Sequence, residues 1–418
     1  MDKLTEKNNF FKGIKPKELL EKYGSPLYVY NEDIFLKRTL EMKNLVDYNK
    51  FVVNYSAKAN TSLGLLQLIE KEGLHVDAMS PGEIFVEMKA GFTPDRIFYI
   101  SNNVTKEEMI YAIERGIIVS IDSLSQLELI GEIYRDKMVS TFDGKVAVRF
   151  NSGVGAGHHE KVVTGGKKTK FGINSEYIQD VKDICLKYGL TVKGINQHIG
   201  SLFMTGEKYV EGVKNIINIA KEFEKIEFVD LGGGFGVPYK SMYGEEPLDL
   251  VNLGKILTKY ISEFIDELGR EITIKIEPGR YISCESGVVL GTVTSVKKNS
   301  DIKYVGCDIG FNVLQRPVMY DSYHEIEIHN DDLNTEVSTV VGNICESGDI
   351  LGKDRTLPIA SVGDVICVCD AGAYGFTMAS NYNNRLKPAE VLIRSNGEVV
   401  ILRERDTLES LIVNQKMI

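Results

Sequence analysis

Residues 51–80 read FVVNYSAKANTSLGLLQLIEKEGLHVDAMS. An apolar run ends in a lysine. A stretch with apolar residues at helical spacing follows, a glycine closes it, and a second apolar run begins. Runs of the first kind recur at 51–57, 74–80, 96–101, 117–123, 145–151, 191–200, 228–234 and 272–279. Between them lie segments such as SLGLLQLIEKEG, PGEIFVEMKAG and KEEMIYAIERG, whose final glycine suits the left-handed residue that ends a helix. Eight strand–helix units across about 230 residues predict a (β/α)8 TIM barrel, placed at 36–285. An open doubly wound sheet is the rival arrangement of the same elements.

After residue 285 the helical periods give way to successive strands: GVVLGTVTSVKK, DIKYVGCDIG, YHEIEIHN, EVSTVVGNI, DVICVCD and AEVLIRSNGEVVILRERD, with SNGE (395–398) as a hairpin turn. This predicts a second, all-β domain over 286–418, sandwich-like or barrel-like. An isolated strand, SPLYVYN (25–31), lies in an N-terminal segment, 1–35, expected to join it. A net charge of −10 argues against nucleic acid or an anionic membrane as partner. No run of 18 apolar residues occurs and the first twenty residues hold no apolar leader, which predicts a cytoplasmic chain. The six cysteines show no CxxC spacing, so no metal is expected. Cys367 and Cys369, on an expected strand, read as small buried hydrophobes. His158 and His159 are adjacent, a poor arrangement for two ligands of one metal.

A barrel places its chemistry at the C-terminal ends of its strands. Those ends carry Lys58, Asp77, Arg149, His198, the glycines 232–234, Glu277 and Arg280. Lys58 either points into the barrel mouth or starts a surface loop. DLGGGFGVP (230–238) is either a phosphate cradle or a tight turn, and Pro238 spoils any dinucleotide fingerprint. His198 and Glu277 could equally be a buried histidine and a helix cap. Together the group suits a cofactor with a phosphate, an aldehyde and a ring that needs a carboxylate, which describes pyridoxal 5'-phosphate (PLP). In VGNICESGDIL (341–351), acids beside Cys345 disfavour its thiolate. A neutral thiol that donates a proton to a carbanion fits better.

The chain resembles the diaminopimelate decarboxylases, among the barrel-type PLP decarboxylases that include the ornithine and arginine enzymes. The resemblance rests on YSAKAN (55–60), GHHEKVVTGGKKTKFGI (157–173), HIGS (198–201), GGGFGVPY (232–239), EPGR (277–280), GFNVLQRPVMYDSYHEI (310–326), CESGD (345–349), DAGAYGFTMASNYNNRLKPAEVL (370–392) and RERDTLESL (403–411), in family order. It implies that Lys58 forms the Schiff base with PLP, Glu277 holds the pyridine nitrogen and His198 stacks on the ring. Asp77 and Arg149 join the cofactor site, and Ser201, Gly233, Gly234, Gly279, Arg280 and Tyr374 surround the phosphate or nearby substrate groups. Arg280, Arg316, Tyr320, Tyr374 and Glu346 are implied for the substrate's far end. Cys345 is implied as proton donor from the second subunit of a homodimer that shares its active sites. The activity implied is decarboxylation of meso-2,6-diaminopimelate to L-lysine, the final step of lysine biosynthesis. The alternative is a related decarboxylase for ornithine, lysine, arginine or carrier-linked glutamate. A PLP-binding protein without enzyme activity would need neither CESGD nor the β-domain. Pro81, where the family often has a small residue, and Ser152, where proline is common, depart from the pattern near the mouth.

Overall fold

The computed structural model describes residues 2–100, 102–157, 165–166 and 169–418; His158 and His159 lie outside them. The chain divides into two compact units, Thr39–Val237 with Pro247–Tyr281, and Met1–Arg38 with Pro238–Glu246 and Ile282–Ile418. The short segment Pro238–Glu246, inside the stretch expected to be all barrel, groups with the second unit.

The first unit is a closed barrel of eight parallel strands: Phe51–Ser56, His75–Ala78, Ile97–Ile100, Ile118–Ile121, Lys145–Asn151, Thr191–Asn196, Phe228–Gly233 and Thr273–Glu277. Each pairs with the next, and the last pairs with the first through Ile274 and Phe51. Closure rules out the open sheet. Local chemistry sets the helix boundaries. Ser80 caps the helix Pro81–Ala90 by accepting the Glu83 N–H at 3.2 Å, the Glu83 carboxylate takes the Met79 N–H at 2.6 Å, and Gly91 ends it in the left-handed region. Such a cap stabilises by about 1 kcal/mol. Pro81 therefore sits in the first helical turn, where a missing N–H costs nothing. Inside the barrel, Phe98, Ile100, Ala147 and Phe228 pack together. Two charged groups share that interior: Lys275 Nζ lies 4.5 Å from the Phe228 ring centre, and Asp230 accepts from Asn54 Nδ2 at 3.1 Å.

The second unit is a nine-stranded mixed sheet with short helices at Leu4–Lys7, Pro16–Tyr23 and Arg316–Tyr320. Leu27–Asn31 lies inside that sheet, antiparallel to Gly287–Leu290 and parallel to Ala389–Ile393. Ala389–Ile393 and Val399–Arg403 form the expected hairpin, closed by the Arg394 N–H donating to the Glu398 carbonyl. One strand, Ile350–Pro358, is absent from the sequence reading. It occupies the sheet edge, and its Lys353, Asp354 and Arg355 break the apolar pattern in the way edge strands do. The core is Phe10, Phe11, Leu27, Val29, Val288, Leu290, Val391 and Ile393 with their neighbours. Thr5 pins the N-terminal segment to that core, its N–H and hydroxyl donating to Glu327 at 3.0 and 2.6 Å.

Candidate active site

In the barrel unit, eleven of the residues singled out above, from Lys58 to Arg280, fall at or near the strand ends. Lys58 sits in the single turn Ala57–Ala59 that follows the first strand. Its Nζ lies 3.1 Å from Asp77 Oδ2 and 3.3 Å from Ser56 Oγ. Asp77 is fully buried and also accepts the Ala57 N–H at 3.2 Å and the Ser56 hydroxyl at 2.9 Å. The carboxylate thus fixes the start of the lysine turn and the lysine's amine. This ion pair is shielded from solvent on the Asp77 side only, since the Lys58 side chain keeps 29% of its surface exposed.

Glu277 is the last residue of the eighth strand and is buried. Its Oε2 lies 3.7 Å from His198 Nδ1 and its carboxyl also meets Asp230, while Oε1 is buried without a donor hydrogen-bonded to it among the described residues. An unpaired buried carboxylate oxygen is costly, so the arrangement calls for a donor. Burial, then the nearby Asp77, push Glu277 up to about 7, against the pull of Lys58 and Arg149. Burial drives His198 the other way, to about 3, helped by Lys58 and Arg149. His198 is therefore neutral, and its Nδ1 accepts the Gly233 N–H at 3.3 Å. Arg149 is buried with its guanidinium 4.6 Å from the centre of the Phe171 ring.

The glycine loop meets these groups closely. A Cβ on Gly233 would lie 1.9 Å from the Glu277 carbonyl oxygen, and Gly234 has φ +104° with Gly200 O 2.5 Å from a would-be Cβ. Only glycine fits either place. Gly279 packs against Ser56 and Ala59. Arg280 donates to Ser201 Oγ from Nε at 3.3 Å and from Nη2 at 3.0 Å. The barrel mouth thus offers an amine, a partnerless carboxylate oxygen, a neutral imidazole and a glycine-lined cradle beside an arginine. That donor set suits PLP: aldehyde to Lys58, ring N–H to Glu277, phosphate to the cradle.

The remaining site residues lie in the second unit, in two groups. Arg316, 1% exposed, has its guanidinium carbon 6.0 Å from the ring centres of Tyr320 and Tyr374 and 5.5 Å from that of Tyr239. Its Nη2 donates to Ser322 Oγ at 3.1 Å. Tyr374 takes the left-handed conformation, φ 55°. Cys345 and Glu346 form the other group, on an exposed loop. Asp349, read from the sequence as an acid beside the thiol, is buried and committed elsewhere: it accepts the Phe311 and Ile344 N–H groups, each at 2.7 Å. It shapes the loop and leaves Glu346 as the exposed acid.

Three residues at these positions escaped the sequence reading. Asn383 and Tyr382 touch Cys345 and Glu346, and Tyr239 belongs to the aromatic box around Arg316. The first two lie in a polar loop with no periodicity, and Tyr239 reaches Arg316 over 77 positions of sequence.

The model of the pyridoxal-dependent decarboxylase family's pyridoxal binding domain matches residues 33–284. The chain is 40% identical to a diaminopimelate decarboxylase of Methanothermobacter thermautotrophicus, over 96% of this chain and 94% of that one. It is 36% identical to the Archaeoglobus fulgidus enzyme of that name, over 97% and 96%. Among solved structures, diaminopimelate decarboxylase from Helicobacter pylori complexed with L-lysine superposes with a TM-score of 0.88 at 30% identity, covering 96% of this chain and 98% of that one. A lysine/ornithine decarboxylase from Vibrio vulnificus, at 21% identity and a TM-score of 0.76, shares the fold.

Proposed function

The chain belongs to the pyridoxal-dependent decarboxylases, and from that premise we infer that it converts meso-2,6-diaminopimelate to L-lysine and CO2. One observation carries the substrate: the near-full-length kinship is with diaminopimelate decarboxylases, at up to 40% identity among those compared. The barrel mouth supports the reaction class.

PLP, when bound, supplies the electron sink that stabilises the carbanion left by departing CO2. Lys58 Nζ is the amine that meets its aldehyde, and Asp77, itself held by the Ser56 hydroxyl and the Ala57 N–H of the lysine turn, aims it. Glu277 would hold the ring nitrogen of the cofactor as its carboxylate partner. A carboxyl that burial pushes up to about 7 would be drawn to its charged form by a cationic N–H opposite. His198, neutral, offers a ring face without adding positive charge beside the pyridinium. Gly233, Gly234, Gly279, Ser201 and Arg280 would offer N–H, hydroxyl and guanidinium donors to the phosphate.

Diaminopimelate carries an ammonium and a carboxylate at its distal end. Glu346 matches the first, Arg316 and Arg280 the second, with Tyr320 beside Arg316. The Cys345 thiol supplies the proton that replaces CO2. We place Cys345 and Glu346 in the partner subunit's site of a homodimer. The deciding assay offers purified protein and PLP diaminopimelate, lysine, ornithine and arginine separately and follows CO2. Release from diaminopimelate alone is the expected result; release from ornithine or arginine instead would overturn the substrate.

A further inference from the structure

The loop that carries Cys345 and Glu346 is gripped by the segment Asn381–Arg385. Asn383 bridges Cys345 twice: its Oδ1 accepts the Cys345 N–H at 3.0 Å, and its Nδ2 donates to Cys345 Sγ at 3.2 Å. This two-point grip requires a backbone turned back on itself, and Asn383 takes φ 57° with Asn384 at 53°, a conformation asparagine tolerates better than most residues. Tyr382, one residue earlier, donates its hydroxyl to Glu346 Oε1 at 2.6 Å and also interacts with the Cys345 side chain. Its ring stacks on Phe311 with centres 5.6 Å apart, and Phe311 is itself tied to the loop through Asp349. Arg385 closes the grip by donating to the Asn343 carbonyl at 2.8 Å.

We propose that Asn383 and Tyr382 are positioning residues that set the two reacting faces of this loop, Asn383 for the Cys345 thiol and Tyr382 for the Glu346 carboxylate. The proposal rests on the reading of Cys345 as proton donor and Glu346 as ammonium partner. A sulfur that accepts one N–H keeps its own S–H for another acceptor. Asn383 therefore directs that proton away from the loop, toward the carbon that has lost CO2. Once the proton has passed to carbon and the C–H bond has formed, the sulfur is left as thiolate. The same N–H then faces a full negative charge, where a hydrogen bond is stronger than to a neutral thiol. Tyr382 occupies Oε1 of Glu346 and so reserves Oε2 for an ammonium, fixing the direction from which a substrate's far end is read.

The two residues should separate kinetically. In the PLP-loaded enzyme, Asn383→Ala lowers kcat for lysine formation at least tenfold with KM for diaminopimelate within twofold. In D2O it yields lysine of reduced stereochemical purity at the carbon that held the carboxylate, because solvent competes with a displaced thiol. Cys345 is also the one exposed cysteine of six, so its alkylation by iodoacetamide reads the thiol without turnover; loss of the Nδ2–H contact slows it several-fold. Tyr382→Phe keeps the stack on Phe311 and raises KM roughly tenfold, with a smaller fall in kcat than Asn383→Ala, since its hydroxyl also reaches Cys345. Urea unfolding of each variant, matched to wild type, separates positioning from collapse of the loop, and Asn383→Ser provides a second variant should the alanine fail to fold. Wild-type kcat, stereochemistry and alkylation rate in both Asn383 variants would overturn the role of Asn383, and an unchanged KM in Tyr382→Phe that of Tyr382. Cys345→Ala marks a different failure: if it keeps wild-type kcat and stereochemistry, the proton-donor reading is wrong.

Discussion

The barrel mouth and the Cys345 loop hold their polar groups in opposite ways. At the barrel mouth, Asp77, Glu277 and Arg149 are buried at strand ends, where Asp77 holds Ser56, Ala57 and Lys58, Glu277 faces His198 and Arg149 lies over Phe171. In the second unit, Cys345 and Glu346 stand exposed on a loop steadied by side chains from one neighbouring segment. Groups that meet a cofactor gain from burial, because fixed charges act more strongly away from water. Groups that meet each incoming substrate must remain reachable. On the proposed reading, the barrel supplies the general chemistry of the family, and the exposed loop the proton and the choice of substrate.

The strongest way to break this division is to remove the amine. Lys58→Ala should abolish turnover and the absorbance of enzyme-bound PLP, a loss of about a thousandfold or more, since covalent attachment has no substitute nucleophile there. Full activity in that variant would end the assignment. A second test asks whether loop and barrel of one site come from different chains. Lys58→Ala and Cys345→Ala dimers should each be nearly inactive. Refolding an equal mixture makes about half the dimers mixed, each with one intact site of two, so activity should return to roughly a quarter of wild type on two-fold assortment. Mixed dimers confirmed by mass spectrometry without recovered activity would confine each site to one chain.

The sequence displays these two regions unequally, for a physical reason. A barrel strand is short, apolar and bounded by turns, so all eight stand out, and chain order alone puts Lys58 and Glu277 at their ends. Closure of the sheet then follows from topology. The loop's organisation depends on contacts that no local pattern reports. Asn383 meets Cys345 across 38 positions and Thr5 meets Glu327 across 322. The edge strand Ile350–Pro358 hides because charges that keep an edge from pairing also erase its apolar signature. Asp349, two residues after Ser347, looks like a second acid for the thiol until its bonds to the Phe311 and Ile344 N–H groups are seen.

A smaller effect sharpens the comparison at the substrate's end. Glu346→Gln keeps the shape of the side chain and its contact with Tyr382 but removes the charge. Losing a charge-assisted bond costs about 1.5–3 kcal/mol, roughly ten- to a hundredfold in kcat/KM for diaminopimelate. PLP absorbance should stay at the wild-type level, since the cofactor groups lie in the barrel. An unchanged kcat/KM would remove Glu346 from the substrate site; a loss of bound PLP would mean that loop and cofactor are not separable in the way proposed.

Burial of charge also occurs in the second unit, away from the proposed site, and it gives the smallest effect. Glu327, buried, accepts His329 Nε2 at 3.0 Å as well as both donors of Thr5. Burial alone would push His329 down, but hydrogen bonds to Cys367 and Glu327 outweigh it and hold the imidazole at about 9. The usual value in an unfolded chain is about 6.5. The folded protein therefore binds the extra proton more tightly, and the pair's stabilisation is complete below pH 6.5 and fades as pH rises through about 9. Urea unfolding of wild type and Glu327→Gln at pH 6 and pH 9.5 should show a stability gap that narrows at the higher pH by on the order of 1–3 kcal/mol. Turnover measured at pH 7 on folded enzyme should stay at the wild-type level, because this cluster holds the N-terminal segment and touches no group of the proposed site. A gap that is constant with pH would show that His329 carries no extra proton in the fold. A gap that narrows together with a fall in kcat would tie this buried pair to the proposed chemistry.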